Sequence, residues 1–254
     1  MSRLNLNILR WIFRAWRYRL VVEKHEIQFM LNHLKLGYTA IDIGAHKGAY
    51  TYWMSKYVGN EGRVFSFEPQ PDLHNQLVSL IKHSNNKNIN LEASALSSAK
   101  GKDTLKIPGG GTSPSASLIN KKSQNISETI LIKKTTLDDY FYKKNQIPVN
   151  FIKCDVEGHE ADVFYGAKKT LIKYMPILLF ECHRSEEEKG DLFNYLVDLG
   201  YTGYFFHVTQ KDHANIFRRG IGEYIHFSKH REYEYCRPGV EHRNYYFMKK
   251  GDHP

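Results

Sequence analysis

Four short stretches hold carboxylates, imidazoles and glycines at spacings that could do chemistry. The first is Asp42-Ile-Gly44-Ala45-His46-Lys-Gly48, where an acid near the end of an apolar run is followed by a glycine-bearing turn and a helical pattern. Gly44 lets the backbone pass close to a ligand, and Gly48 eases helix-to-strand packing. His46 stands where a dinucleotide fingerprint needs its second glycine for close approach to a pyrophosphate. A ligand without phosphates, such as a nucleoside joined to an amino acid, has no such need. Asp42 could then meet an ammonium group or a bound water. The second stretch is Phe67-Glu68-Pro69. An acid at the carboxyl end of the next strand is placed to grip a ribose diol; taken alone, Glu68 would be an ordinary acid at a helix start.

The third stretch, Lys153-Cys-Asp155-Val-Glu157-Gly-His159-Glu160, clusters carboxylates where another apolar run stops. Their mutual repulsion must be relieved by a cation, by protonation or by hydrogen bonds from a helix N-terminus. Glu160 has the plainer reading of a first-turn helix acid. The fourth, Phe180-Glu181-Cys-His183, adds an acid and a histidine. His183 could be a general base or a ligand, although a lone histidine is more often a satisfied polar group. Asp155, Glu181 and His183 could together offer oxygen and nitrogen ligands to Mg²⁺ or Mn²⁺. No close-packed ligand motif demands a metal, so the expected site has none and this trio is the alternative.

The elements that must position these groups alternate regularly. Strand-like runs fall at Thr39–Ile43, Arg63–Glu68, Ile89–Ala95, Val149–Asp155, Ile177–Cys182 and Tyr201–His207, with helical patterns at Ala49–Val58, Pro71–His83, Glu160–Tyr174 and Glu186–Leu199. Continuous apolar strands separated by helices predict an α/β fold: a Rossmann-like, doubly wound, mostly parallel sheet covered on both faces. Asn244–Lys249 reads as a last strand, antiparallel at one sheet edge. Between about 97 and 136 the alternation breaks: Gly101–Ile107 and Thr129–Thr135 look like a hairpin around the Gly-, Ser- and Pro-rich stretch Pro108–Ser117. That insertion reads as a substrate loop or lid, or else as a solvated surface loop.

Residues 1–37 read as a helical appendage and residues 38–254 as the domain that carries the chemistry. Leu9, Ile12, Phe13 and Trp16 recur at helical spacing, with Arg10, Arg14 and Arg17 on the other side. Trp11, Phe13, Trp16 and these arginines suggest a helix lying on an anionic membrane; packing over the domain or against a second subunit, as in a homo-oligomer, is the alternative. A second helix runs from about Glu23 to Leu36 and stops at Gly37. The 254 residues carry 36 Lys and Arg against 27 Asp and Glu, a net charge of +9, which favours anionic partners. With 41% hydrophobic residues the chain can build a core. Three scattered cysteines exclude a disulfide framework and no CxxC pair suggests zinc. No run of about 18 apolar residues exists to span a membrane, and no secretory signal is read. The expected location is the cytoplasm, including the inner face of its membrane.

Taken in order, Asp42-Ile-Gly-Ala-His-Lys-Gly-Ala-Tyr-Thr51, Phe67-Glu68-Pro69, Thr136-Leu-Asp-Asp139, the Lys153–Glu160 run and Phe180-Glu181 resemble the FkbM family of methyltransferases. These belong to the wider Rossmann-like, S-adenosylmethionine-dependent class. The resemblance covers roughly Tyr38 to His207. It implies that the Gly44 turn holds the methionine part of S-adenosylmethionine, with Asp42, Ala45, His46, Gly48 and Thr51 around it. It further implies that Glu68 takes the ribose hydroxyls, that Ser94-Ala95-Leu96 flanks the adenine, and that Asp155 and Glu157 face the reacting centre. The implied reaction is methylation of a hydroxyl oxygen, on a sugar of a glycan or glycolipid or on a natural product. Asp155, Glu157 and His183 are the candidate general bases, followed by His159, which begins a helix and would point outward.

Two other classes compete. A nucleotide-dependent oxidoreductase could use the same architecture, against which His46 in place of glycine counts. A catalytically silent module docking on an anionic surface would suit the charge. No RNA-binding aromatic signature is present, so nucleic acid is not the expected partner.

Overall fold

The computed structural model describes residues 3–84, 86–109, 112–113, 116–118, 126–182, 186–210, 221–229 and 243–254. In chain order the strands are β1 (Thr39–Ile43), β2 (Arg63–Phe67), β3 (Ile89–Glu92), β4 (Ser94–Leu96), β5 (Gly101–Pro108), β6 (Ile126–Thr135), β7 (Phe151–Cys154), β8 (Ile177–Glu181), β9 (Tyr201–Gln210), β10 (Ile221–His226) and β11 (Asn244–Lys249). The helices are α1 (Arg3–Arg17), α2 (Lys24–His33), α3 (Ala49–Val58), α4 (Pro71–His83), α5 (Glu160–Tyr165), α6 (Lys168–Tyr174) and α7 (Glu186–Asp198).

The main sheet has eight strands in the order β10-β9-β11-β8-β7-β1-β2-β3. Strands β8, β7, β1, β2 and β3 run parallel, while β11 is antiparallel to both β8 and β9. The α/β, mostly parallel, doubly wound architecture is therefore present. The position of Asn244–Lys249 differs from the sequence expectation: β11 inserts between β8 and β9, and β10 forms the antiparallel edge. Its side chains Tyr245, Tyr246, Phe247 and Met248 are buried on both faces, which an edge position would not allow.

Two further readings are refined. The run Ile89–Ala95 divides: β3 stays in the main sheet, while β4 turns away to pair with β6, which also pairs antiparallel with β5. The helical pattern Glu160–Tyr174 breaks into α5 and α6 around Gly166, where a Cβ would overlap the Ser97 carbonyl oxygen. The Thr136–Asp139 element is scaffold: both Asp138 oxygens accept backbone N–H groups of the first turn of α6, from Lys169 and Thr170.

One face of the main sheet is covered by α5, α6 and α7 and the other by α1, α2 and α3. Helix α1 docks through Trp11 and Ala15, four residues apart, which are both buried. Trp11 Nε1 donates to the Gly48 carbonyl at 2.8 Å, and Trp53 Nε1 on α3 donates to the Ala15 carbonyl at 2.8 Å. The apolar stripe read from spacing points the other way, since Leu9, Phe13 and Trp16 are exposed. Helix α2 buries Phe29 against Tyr246 and Phe151. Among the described residues no helix is long and apolar enough to cross a membrane.

Candidate active site

Parallel strands stop on one side of the sheet, and the chain reversals there leave a crevice. The cleft found there has a cavity volume of about 250 Å³. The residues at its floor follow the sheet order: Glu181 ends β8, Asp155 follows β7, Gly44 follows β1, Glu68 follows β2, and Ser94 begins β4 beyond β3.

Gly44 is the closest backbone crossing. Its φ is +76°, and a Cβ there would overlap the Asp155 carbonyl oxygen. The N–H groups of Gly44 and Ala45 both donate to the Phe67 carbonyl at 3.0 Å, tying the first turn to the end of β2. His46 also lies in the left-handed region, with φ +50°. Its N–H donates to Glu68 Oε2 at 2.7 Å, and Gln70 N–H donates to Glu68 Oε1 at 2.9 Å. The Glu68 carboxylate thus bridges two turns and still faces the cleft. Burial pushes its pKa up to about 7 against these two donors. The His46 ring lines the cleft with its buried Nε2 unpartnered. Burial, reinforced by Lys47 and Lys153, depresses its pKa to about 4, so the ring is neutral at physiological pH.

Asp42, Thr51 and Gly48 do not line the cleft. Asp42 is buried behind it, accepting a 2.5 Å hydrogen bond from Thr51 Oγ1 and facing Lys153 Nζ at 4.0 Å. Burial raises its pKa, opposed by Lys153 and Thr51. At Gly48 (φ +73°) a Cβ would sit 2.7 Å from Leu77 Cδ2 and 3.0 Å from Trp11 Nε1, so this glycine admits α1.

Lys153 and Asp155 share a face of the chain by the period of two along a strand. Lys153 Nζ lies 3.2 Å from Asp155 Oδ2 and 4.8 Å from the centroid of the Tyr50 ring. Burial alone would lower the lysine pKa, but Asp155, Asp42 and Glu23 more than offset it and hold the ammonium charged. This buried cation answers the repulsion expected among the acids. Glu160 answers it differently. Its Oε1 accepts the N–H groups of Val156 (3.1 Å) and Gly158 (3.0 Å), and so shapes the loop that presents Glu157 at φ +56°. It is fully buried, and burial pushes its pKa up to about 7.

Glu157, Ser94, Ala95, Leu96 and Glu181 line the cleft; His183 lies outside the described residues. His159 points inward rather than outward: it is buried, its Nε2 lies 3.0 Å from Ser97 Oγ and its Nδ1 lies 3.4 Å from Asp162 Oδ2. No group of three His, Cys, Asp or Glu among the described residues converges as a metal site.

Several lining residues were not singled out for chemistry from sequence. Leu105, Ala116 and Leu118 of the insertion wall the Ser94 end. Gln70 joins them by a reciprocal pair of hydrogen bonds to the Ser113 backbone, at 3.0 and 3.2 Å. Ser117 Oγ donates to the Glu157 carbonyl at 2.9 Å. At the Glu181 end stand Tyr50 and three residues from before β1: Arg14, Tyr18 and Glu23. Tyr50 Oη donates to Glu23 Oε2 at 2.5 Å. Burial pushes the Glu23 pKa up to about 7, partly opposed by Lys153 and Tyr50. The strand period gives a signal for Lys153, but nothing local marks the other three.

Residues 42–203 match the family model described as the methyltransferase FkbM domain. The hexuronic acid methyltransferase AglP of Haloferax volcanii is 27% identical over 176 residues, which span 68% of each chain. The crystal structure of an FkbM methyltransferase from Methylobacillus flagellatus superposes with a TM-score of 0.51 at 16% identity, covering 83% of this chain and 43% of that one. This chain therefore spans less than half of that solved chain.

Proposed function

The chain belongs to the FkbM family of S-adenosylmethionine-dependent methyltransferases, and we propose that its acceptor is a hydroxyl oxygen of a sugar. The name of the Haloferax relative, a hexuronic acid methyltransferase, supports a saccharide acceptor. The observation that carries the reading is the line of groups across the cleft floor, with a glycine crossing at β1, an acid at β2 and further acids at β7 and β8.

The cleft fits the cofactor on its own terms. The lack of a side chain at Gly44 lets the turn after β1 cross against the Asp155 carbonyl at the cleft wall, His46 Nε2 is a buried polar atom without a hydrogen-bond partner, and the carboxylate residue Glu68 lines the space. Gly44, Ala45 and His46 would hold the amino-acid end and Glu68 the ribose hydroxyls. Ser94, Ala95 and Leu96 would flank the base, with Leu105 and Leu118 opposite. When bound, S-adenosylmethionine supplies a methyl group already activated by a positively charged sulfur. What remains for the protein is alignment of the acceptor oxygen and removal of its proton. Asp155 and Glu157 face this region, with His183 as a third candidate base. Labelled S-adenosylmethionine offered with saccharides and glycan extracts, followed by mass spectrometry of the product, tests the reading. Calorimetry should show S-adenosylhomocysteine binding and NAD⁺ not binding; the reverse result would establish the oxidoreductase alternative.

A peripheral membrane contact is proposed as well. Leu9 and Phe13 are exposed on the side of α1 away from Trp11 and Ala15, Leu20, Val21 and Val22 are exposed in the turn after it, and Arg10 and Arg17 are exposed beside them. Apolar groups flanked by arginines complement an anionic bilayer. The protein should sediment with phosphatidylglycerol vesicles and not with phosphatidylcholine vesicles; failure to sediment with either would end this part of the proposal.

A further inference from the structure

The cleft has two chemically different ends. Between β2, which Glu68 follows, and β8, which Glu181 ends, lie three strand spacings, about 14 Å. The Glu68 end is apolar and backbone-lined, bordered by Ala95, Leu96, Leu105 and Leu118. The Glu181 end is crowded with side-chain charge and hydroxyl groups, and part of that wall comes from outside the matched family region.

Resting on the O-methyltransferase reading, we propose that residues 14–23 form the acceptor subsite: Arg14 pairs with an acidic group of a sugar, and Glu23, set by Tyr50, takes the hydrogen bond of the hydroxyl to be methylated. Three observations carry this. The first is placement. The helix breaks at Glu23 (φ −127°, ψ 52°), between a π-helical turn over Tyr18–Val22 and α2, and Arg14, Tyr18 and Glu23 all line the cleft. The second is charge. Lys153 is already committed to Asp155, whereas Arg14 and Lys47 line the cleft with no ion pair to any described residue. A half-buried guanidinium left without a carboxylate calls for an anionic ligand. The third is reach. One Glu23 oxygen accepts from Tyr50, which fixes the carboxylate, while the residue remains part of the cleft wall.

Transfer would form the new carbon–oxygen bond as the methyl–sulfur bond breaks and its electron pair stays on sulfur, leaving S-adenosylhomocysteine. The acceptor's O–H bond breaks at the same time and its proton passes to Glu23, from which water can remove it. The groups facing Glu23 are Lys153, Tyr50, Asp155, Glu26 and Tyr18. Among them Lys153 and the Tyr50 hydrogen bond favour the charged carboxylate, and Asp155 and Glu26 oppose it. A base must be ionised to act, so transfer should climb as pH rises through about 7.

A carboxylate opposite Arg14 could also belong to the methionine end of the cofactor, and the experiment separates the two. S-adenosylhomocysteine is titrated calorimetrically into wild type, Arg14→Gln and Glu23→Gln. Phenyl β-D-glucuronide and phenyl β-D-glucoside are then titrated into each loaded protein. We expect nearly equal S-adenosylhomocysteine affinity in all three, a preference of about tenfold for the glucuronide in wild type, and loss of that preference in Arg14→Gln. Glu23→Gln should still bind the glucuronide, transfer methyl to it at least about 100-fold more slowly, and lose the pH dependence near neutrality. A tenfold loss of S-adenosylhomocysteine affinity in Arg14→Gln would overturn the proposal, as would equal or absent binding of the two glycosides. So would undiminished transfer by Glu23→Gln. Failure of wild type to bind S-adenosylhomocysteine would instead remove the family reading beneath it.

Discussion

The two walls of the cleft are built by opposite means. At the β1–β2 side the wall is mostly backbone: Gly44 crosses the Asp155 carbonyl, and Glu68 is clamped by the amides of His46 and Gln70. At the N-terminal side it is mostly side chain: Arg14, Tyr18 and Glu23 project from a helical segment that α1 anchors through Trp11. A backbone wall tolerates few substitutions because the geometry is fixed by strand ends. A side-chain wall can change its chemistry while the helix beneath it stays docked. A shared cofactor and a variable acceptor would call for these two kinds of wall.

The largest effect is expected at Gly44, in the backbone wall. Gly44→Ala must displace the Asp155 backbone, so S-adenosylhomocysteine affinity should fall by at least about 100-fold while circular dichroism still reports a folded sheet. Trp11→Ala comes next. It removes a buried indole and its bond to Gly48, and should lower stability in denaturant melts by about 3–5 kcal/mol. Because Trp11 supports the side-chain wall, transfer to the acceptor should suffer more than S-adenosylhomocysteine binding.

Glu160 sharpens the contrast on the backbone side. Glu160→Ala leaves the Val156 and Gly158 N–H groups without their acceptor and should cost about 1–3 kcal/mol, whereas Glu160→Gln keeps an oxygen for both. The same residue gives a pH signature. With its pKa raised to about 7, the folded chain keeps a proton that the unfolded chain has already released above about 4.5. Folding stability therefore falls as pH rises through that window, and Glu160→Gln should flatten the slope measured by urea melts. The smallest effect is expected at Phe13, on the outer side of α1. Phe13→Ser should alter stability by no more than about 0.5 kcal/mol and leave S-adenosylhomocysteine affinity unchanged, while weakening sedimentation with anionic vesicles.

The acids and glycines at strand ends were legible because each motif is local. An apolar run, a glycine turn and an acid lie within ten residues, and parallel strands place all such ends on one side. Asp42 shows the limit of that logic. It has the composition of a ligand-binding acid, yet it stands behind the cleft between Thr51 and Lys153. Helix α1 shows another limit. The spacing of Leu9, Ile12, Phe13 and Trp16 marks an apolar side, but the side that docks carries Trp11 and Ala15, chosen by fit against Gly48, Leu77 and Trp53.

By itself the amino-acid order fixed the alternation of strands and helices and the acids that close them, because both depend on neighbours a few positions apart. Only the folded chain decided that Arg14, Tyr18 and Glu23 reach the same cleft as Asp155, and that β11 lies inside the sheet. Those outcomes depend on how distant surfaces fit when apolar area is withdrawn from water, which no local spacing encodes.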